Sequence, residues 1–208
     1  YQRQGLTDRN ATLSLYHYDL LEASVFYSSL NERPYGSGLS QDYKDKGFNV
    51  EIRLKEEDSM PAIAIGLNDV GGTGLYSSEY IVSSYAYGNF DFHIGASWGR
   101  LNHHNHSKNP FIRLSDKFKK RSAETGKGGE FSTGNFFSGE NISFFGGINY
   151  ALNNKFVFKL EYDPLQTPGD VGYEERKSDF SFGINYLEKN FLFALNLERA
   201  SNISLNFT

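Results

Sequence analysis

The stretch FDFHIGASWG alternates without a break. Phe90, Phe92, Ile94, Ala96 and Trp98 fall on one side, and Asp91, His93, Gly95, Ser97 and Gly99 on the other. The same period returns in FNVEIRLK, where Phe48, Val50, Ile52 and Leu54 oppose Asn49, Glu51, Arg53 and Lys55. It returns again in KFVFKLEYD, DFSFGINY and NFLFALNLE. A period of two built from aromatic and β-branched residues predicts strands, because successive side chains on a strand point to opposite faces. Weaker alternation predicts further strands over 9–19, 21–30, 61–68, 75–87, 140–152 and 203–208. The total is roughly eleven strands of about 8–12 residues. No segment has a sustained helical period; the stretch 102–139 leaves room for one short helix, around 109–121.

The connections alternate in length. Short ones fall near 19–20, 55–60, 88–89, 153–154 and 187–190, and long or Gly-rich ones at 31–43, 69–74, 102–139 and 164–177. That rhythm predicts an antiparallel up-and-down meander with one trimmed rim and one looped rim, as in transmembrane barrels of the outer membrane. The alternation alone leaves two readings. A sandwich or small soluble barrel buries its apolar face, whereas a membrane barrel turns that face to lipid and its polar face to a lumen. Composition leans toward the second. Hydrophobic residues make up only 38% and aromatics 16%, so the apolar content sits in few, large side chains. The polar faces carry Gly, Ser and Asn beside charges. Tyr76, Tyr80, Tyr85, Tyr87, Tyr150, Tyr162 and Tyr186 gather toward strand ends, as in interfacial girdles. No apolar run approaches the ~20 residues of a membrane helix. A net charge of -4 gives no reason to expect nucleic acid, and the absence of cysteine excludes disulfides and thiolate chemistry. The start YQRQGLTDRN has no signal-peptide pattern, so the expectation is a cytosolic chain or a processed or trimmed part of an exported one.

In the barrel reading Phe92, Ile94, Phe158, Phe182 and Phe193 face lipid. The charged residues Glu22, Glu51, Arg53, Glu79, Asp91, His93, Lys159 and Glu161 must then face the lumen, since a charge at mid-depth in lipid costs about 2–4 kcal/mol. They form either a paired network or a polar path for sugar hydroxyls, with Phe26 and Phe145 on the same side. HHNH, 103–106, reads as a solvated loop tip, because closed metal sites need about four ligands. GGTG, 71–74, reads as a turn requiring positive φ, since neither Lys-Ser/Thr nor a helix follows. KFKKRSAETGKGG, 117–129, reads as a solvated basic loop. No enzyme constellation is expected; the neighbours Asp91 and His93 leave a rim hydrolase as a lesser alternative. No metal or other cofactor is expected.

Longer motifs carry a resemblance. YKDKGFNVEIRLKEE, then PAIAIGLNDVGGTGLYSSEYIVSSY, GNFDFHIGASWG and KNPF resemble, in content and order, the YjbH-type family of outer-membrane β-barrel proteins of exopolysaccharide gene clusters. The match is strongest over 42–111 and looser through GGEFSTGNFFSG and FVFKLEYDP. Members are much longer than this chain, so the resemblance implies a shortened member or a piece of one, in a single domain over 1–208 with a long outer loop at 102–139. It implies a Gram-negative outer-membrane barrel that takes part in exporting an extracellular polysaccharide. Its partners would be lipopolysaccharide, the polymer and other export-system proteins. The alternatives are a plugged barrel that binds polysaccharide or a partner, and a soluble sugar-binding β-sandwich.

Overall fold

The computed structural model describes residues 9–18, 20–34, 41–100, 102, 104–122, 135–164 and 177–207. The alternating segments form β1 (Arg9–His17), β2 (Leu21–Pro34), β3 (Asp42–Lys55), β4 (Ala62–Val70), β5 (Ser78–Tyr87) and β6 (Phe90–Gly99). They continue as β8 (Asn141–Ala151), β9 (Phe156–Tyr162), β10 (Phe180–Glu188), β11 (Phe191–Glu198) and β12 (Asn202–Phe207). Between β6 and β8 lie a two-residue strand β7 (Ser107–Lys108) and two 3-10 turns, η1 (Pro110–Arg113) and η2 (Asp116–Lys119). These turns stand where the sequence suggested one helix.

All long strands join one antiparallel sheet in chain order, and β7 pairs β8 off that path. The meander is as the connections foretold. Closure into a barrel is not seen: among the described residues β1 and β12 each have one neighbour. The sheet nevertheless curls. A cavity of about 750 Å³ is lined by Thr12 and Ser14 of β1 and also by Phe145 of β8 and Asp163 just past β9. In a flat sheet β1 and β9 would lie ~34 Å apart, at ~4.8 Å per strand. The side toward the cavity is therefore concave.

Following the register strand by strand assigns each residue to a face. Glu22, Glu51, Gly66, Tyr80, Ser97 and Ser143 form one transverse row on the concave side. Tyr85, Phe92, Ile148, Leu160, Phe182 and Leu197 form another on the convex side. Burial inverts the usual order. Ile94 is 66% exposed and Phe182 55%, while Ser24, Ser28, Ser97, Ser143 and Ser204 on the concave side are buried. The buried hydrophobic residues are only Val70, Leu75, Trp98 and Ile142 among the described residues.

Aromatic rings pave the concave side by lying on glycines across the strand. The Tyr80 ring covers Gly66, Phe145 covers Gly95, and Phe26 covers Gly47. A Cβ at Gly95 would stand 2.2 Å from the Phe145 ring. Gly95→Val should therefore destabilise the fold by about 1–3 kcal/mol through overpacking, seen as a lower guanidinium midpoint at unchanged slope. On the convex side, aromatic rings recur along the short-turn rim. Phe90 and Tyr150 lie 4.7 Å apart, Phe156 and Tyr186 4.9 Å, and Phe193 and Phe207 4.8 Å.

Candidate functional site

The concave face gathers most of the polar chemistry. Strand alternation and a β2–β3 register without shifts from Leu21 to Leu30 put Glu22 directly opposite Glu51. The Tyr80 hydroxyl, two strands on, donates to Glu51 Oε2. Above this row Asn49 Nδ2 donates to Ser24 Oγ at 3.2 Å, and Asn68 Nδ2 to Ser78 Oγ at 3.2 Å. Two like-charged carboxylates facing each other across a ladder work against folding. The Tyr80 hydroxyl and solvent in the cavity offset this. The arrangement offers acceptors at Glu22 and Glu51, mixed donors at Ser and Asn, and ring faces at Phe26, Tyr80 and Phe145.

Arg53 shares this side, one same-face step from Glu51 toward the short-turn rim, opposite Ala64. Asp91, Asn149 and Lys159 form a row there, and His93, Gly147 and Glu161 the next one. Seven of the charged residues singled out from the sequence thus fall on one side, in two groups: Glu22, Glu51 and Arg53 near β2–β3, and Asp91, His93, Lys159 and Glu161 on β6 and β9. His93 Nδ1 lies 3.0 Å from Ser84 Oγ, and His93 Nε2 lies 3.2 Å from Asp91 Oδ2. Asn149 Nδ2 sits beside both, 3.3 Å from Asp91 Oδ2 and 3.2 Å from His93 Nε2. This series resembles a nucleophile–base–acid chain. Ser84 lies within a strand paired to β4 and β6, which engage the backbone amides around it, so those amides are not free to serve as oxyanion donors. Phe92, Ile94, Phe158, Phe182 and Phe193 all stand exposed on the opposite, convex side.

Glu79 corrects the sequence expectation. The register sets it opposite Leu67 and Trp98, on the convex side and not the concave one. It is 1% exposed because the long loop folds back over this corner of the sheet. Arg121 Nη1 and Nη2 bind its two carboxylate oxygens at 2.8 and 2.9 Å, and the Phe137 amide adds a third hydrogen bond. The guanidinium also donates to the Ser77 carbonyl and hydroxyl and to the Asn135 carbonyl. Arg121 is thus no part of a solvated basic patch; the rest of that patch from 123 on lies outside the described residues. Asn109 pins the same fold. Its Oδ1 accepts from Trp98 Nε1 at 2.9 Å and from the Phe111 amide, and its Nδ2 donates to the carbonyls of Phe118, Phe137 and Gly139. Trp98 stacks on Phe111 and meets Phe137 edge-on. Asn109→Ala should cost about 1–3 kcal/mol, since it strips a buried indole N–H and several carbonyls of partners. Loss of Trp98 fluorescence in urea would measure it.

The histidine stretch is also docked. His104 Nε2 lies 3.1 Å from Asp179 Oδ2, and His106 Nε2 3.0 Å from the Tyr162 hydroxyl. His106 Nδ1 accepts from the Phe144 amide. The Phe144 amide holds the His106 ring and the Asp179 carboxylate faces the His104 ring, so the two do not form a free loop tip; His103 lies outside the described residues. Among the described residues no group of three or more His, Cys, Asp or Glu converges as a metal site. Gly71 and Gly74 have φ of 70° and 78°, as a turn at GGTG requires. Of the tyrosines read as a girdle, Tyr80 belongs to the concave side, and Tyr76 lines the cavity against Phe26. At the rims, the Lys55 ammonium holds the Asp58 carboxyl below its usual range, and Lys108 does the same for Glu140. Asp45, Asp69, Asn109 and Arg121 were not marked by sequence. Spacing gives no sign of them, because their partners come from distant segments.

The family model described as exopolysaccharide biosynthesis protein YbjH matches residues 3–208. The chain belongs to the YjbH exopolysaccharide biosynthesis family. It is 36% identical over 185 residues to the uncharacterized lipoprotein YjbH of Escherichia coli (strain K12). That match covers 86% of this chain and 26% of the relative. The chain thus spans about a quarter of the length of the curated relative it matches. No solved structure matches it.

Proposed function

We propose that the chain forms wall strands of a bacterial outer-membrane β-barrel that takes part in exporting an extracellular polysaccharide. One observation carries this reading: the convex face is apolar and exposed, while the concave face is mostly polar and holds the buried serines Ser24, Ser28, Ser97, Ser143 and Ser204. In water an apolar face running across many strands is unstable as a free surface. Against acyl chains it is the expected arrangement, and the aromatic rim sits where headgroups would meet it. Among the described residues no second sheet stacks on the apolar face, which a sandwich would need. The family description supplies the polymer. The relative's name, a lipoprotein, accords with a membrane location.

The chain's part in export is passive. Convex residues such as Phe92, Ile94, Phe158, Phe182 and Phe193 anchor it in lipid and in the acyl chains of lipopolysaccharide. On the concave side Glu22, Glu51, Arg53, Asp91, His93, Lys159 and Glu161 offer exchangeable hydrogen bonds to sugar hydroxyls, and the paving rings offer flat contacts to sugar faces. Further strands docking on β1 and β12 close the barrel, and other export-system proteins meet it at its rims. The chain performs no chemistry on the polymer. A binding scaffold is the second reading. It is favoured by Phe26, Tyr76, Tyr80 and Phe145, which narrow the cavity.

Spin labels at positions 92, 158, 182 and 193 test the membrane reading. In bilayers they should be relaxed strongly by oxygen and weakly by a water-soluble nickel chelate; the reverse ratio overturns it. Conductance in planar bilayers separates the two lumen readings. A conduit conducts, and a scaffold with an occupied lumen does not.

A further inference from the structure

Among the described residues, the buried side-chain oxygens and nitrogens without a hydrogen-bond partner belong to two carboxylates. They are Oδ1 and Oδ2 of Asp45 and Oδ1 of Asp69. Asp45 is fully buried, at 0% exposure, and Asp69 is 4% exposed. Asp45 sits in β3, opposite Ser28 near the looped rim. Asp69 is fixed by what surrounds it. Its backbone takes a left-handed φ of 54°, its amide donates to Asn49 Oδ1 at 3.0 Å, and its Oδ2 accepts from the Tyr76 amide at 3.0 Å.

That grip aims Asp69 Oδ1 over Gly47, where a Cβ would be 2.2 Å away, and over Gly72, where a Cβ would be 2.4 Å away. Gly47 is one same-face step from Asp45, so the two carboxylates are neighbours. The Lys46 carbonyl is beside them, fixed by the Thr73 amide at 3.0 Å. The Thr73 side chain and the Lys46 amide approach Asp45 without reaching hydrogen-bond geometry. Arg100 lends both carboxylates an attraction. It leaves the three oxygens without a donor. Burying an ionised carboxylate this way is costly unless a cation or a proton completes it.

We propose that Asp45 and Asp69, roofed by the GGTG turn, bind a divalent cation of the calcium type. The ligands are hard oxygens: two carboxylates, with the Lys46 carbonyl and the Thr73 hydroxyl within the same pocket. Calcium accepts this mixture of carboxylate, carbonyl and hydroxyl donors with water completing the shell, whereas magnesium demands a tighter octahedron. Binding ties the 71–74 turn to β3 and stiffens the looped rim beside the mouth of the cavity.

The test uses the protein in detergent micelles with terbium as luminescent probe, excited through tyrosine. Terbium emission should saturate, and calcium should displace it. Asp45→Asn and Asp69→Asn should each weaken terbium binding at least tenfold. Calcium should raise the wild-type Tm by about 4 °C or more and leave Asp45→Asn unmoved. Without calcium at pH 8, Asp45→Asn should melt above the wild type, since the amide removes an uncompensated charge. Terbium binding that both variants retain would overturn the proposal. So would a wild-type Tm that rises as pH falls but ignores calcium, because a proton then completes the pair. If Asp45→Asn does not fold, Asp69→Asn carries the same comparison.

Discussion

Phe182→Arg is expected to destabilise the protein by about 2–4 kcal/mol in a phosphatidylcholine bilayer. Phe182 stands 55% exposed on the convex face, between Leu160 and Leu197 in register. A guanidinium there must either shed its water or drag water into the acyl layer. Three residues on, Asn185 belongs to the concave side, opposite Ala194 and Val157. Asn185→Lys keeps its charge in enclosed water and should shift stability by about 0.5 kcal/mol or less. Reversible urea unfolding from vesicles measures both. The asymmetry between the two faces is the informative quantity; equal effects would mean that the convex side does not meet lipid.

The second large effect is expected at the corner that the long loop covers. Arg121→Ala strips the Glu79 carboxylate, 1% exposed, of its guanidinium partner and leaves it the Phe137 amide as a donor from the loop among the described residues. Breaking a buried pair by removing one partner costs about 3–5 kcal/mol. Replacing both members with apolar residues, Glu79→Leu with Arg121→Met, should recover most of that, because no charge is stranded. The sequence has one tryptophan, Trp98, and it stacks on Phe111 of the same loop at 5.5 Å. Its fluorescence therefore reports directly whether the loop is docked. In Arg121→Ala the emission should move to longer wavelength at urea concentrations where the wild type is unchanged. A double variant no more stable than Arg121→Ala would show that the corner is held by something other than this pair.

The strands and their faces were legible in the sequence because a period of two needs only neighbouring residues to be read. Phe90, Phe92 and Ile94 announce a face by themselves, and the glycine-rich turn at 71–74 announces its backbone. Glu79 was not legible. Its parity follows from a register set by β4 and β6, and the strand SEYIVSSY offers no clean alternation to fix it. Arg121 was equally hidden. In KFKKRSAET it is one basic residue among several, and only a contact 42 positions away distinguishes it. Asp45 lies in YKDKGF, where its lysine neighbours suggest a solvated face. Its burial comes from a turn that begins after Asp69. Local pattern encodes elements; contacts between distant loops decide which charges are enclosed.

The two unpaired margins of the sheet bear on handling the protein outside a cell. Among the described residues β12 has a neighbour on one side only, and it presents Ile203, Leu205 and Phe207 at 73%, 79% and 63% exposure. Such a strand offers a template of free amides and carbonyls backed by grease, and it will zip onto any matching segment it meets. Refolding at high concentration then favours ladders of many copies over single molecules. Dilution, early addition of micelles, or a lysine placed at Leu205 should shift that competition toward monodisperse material.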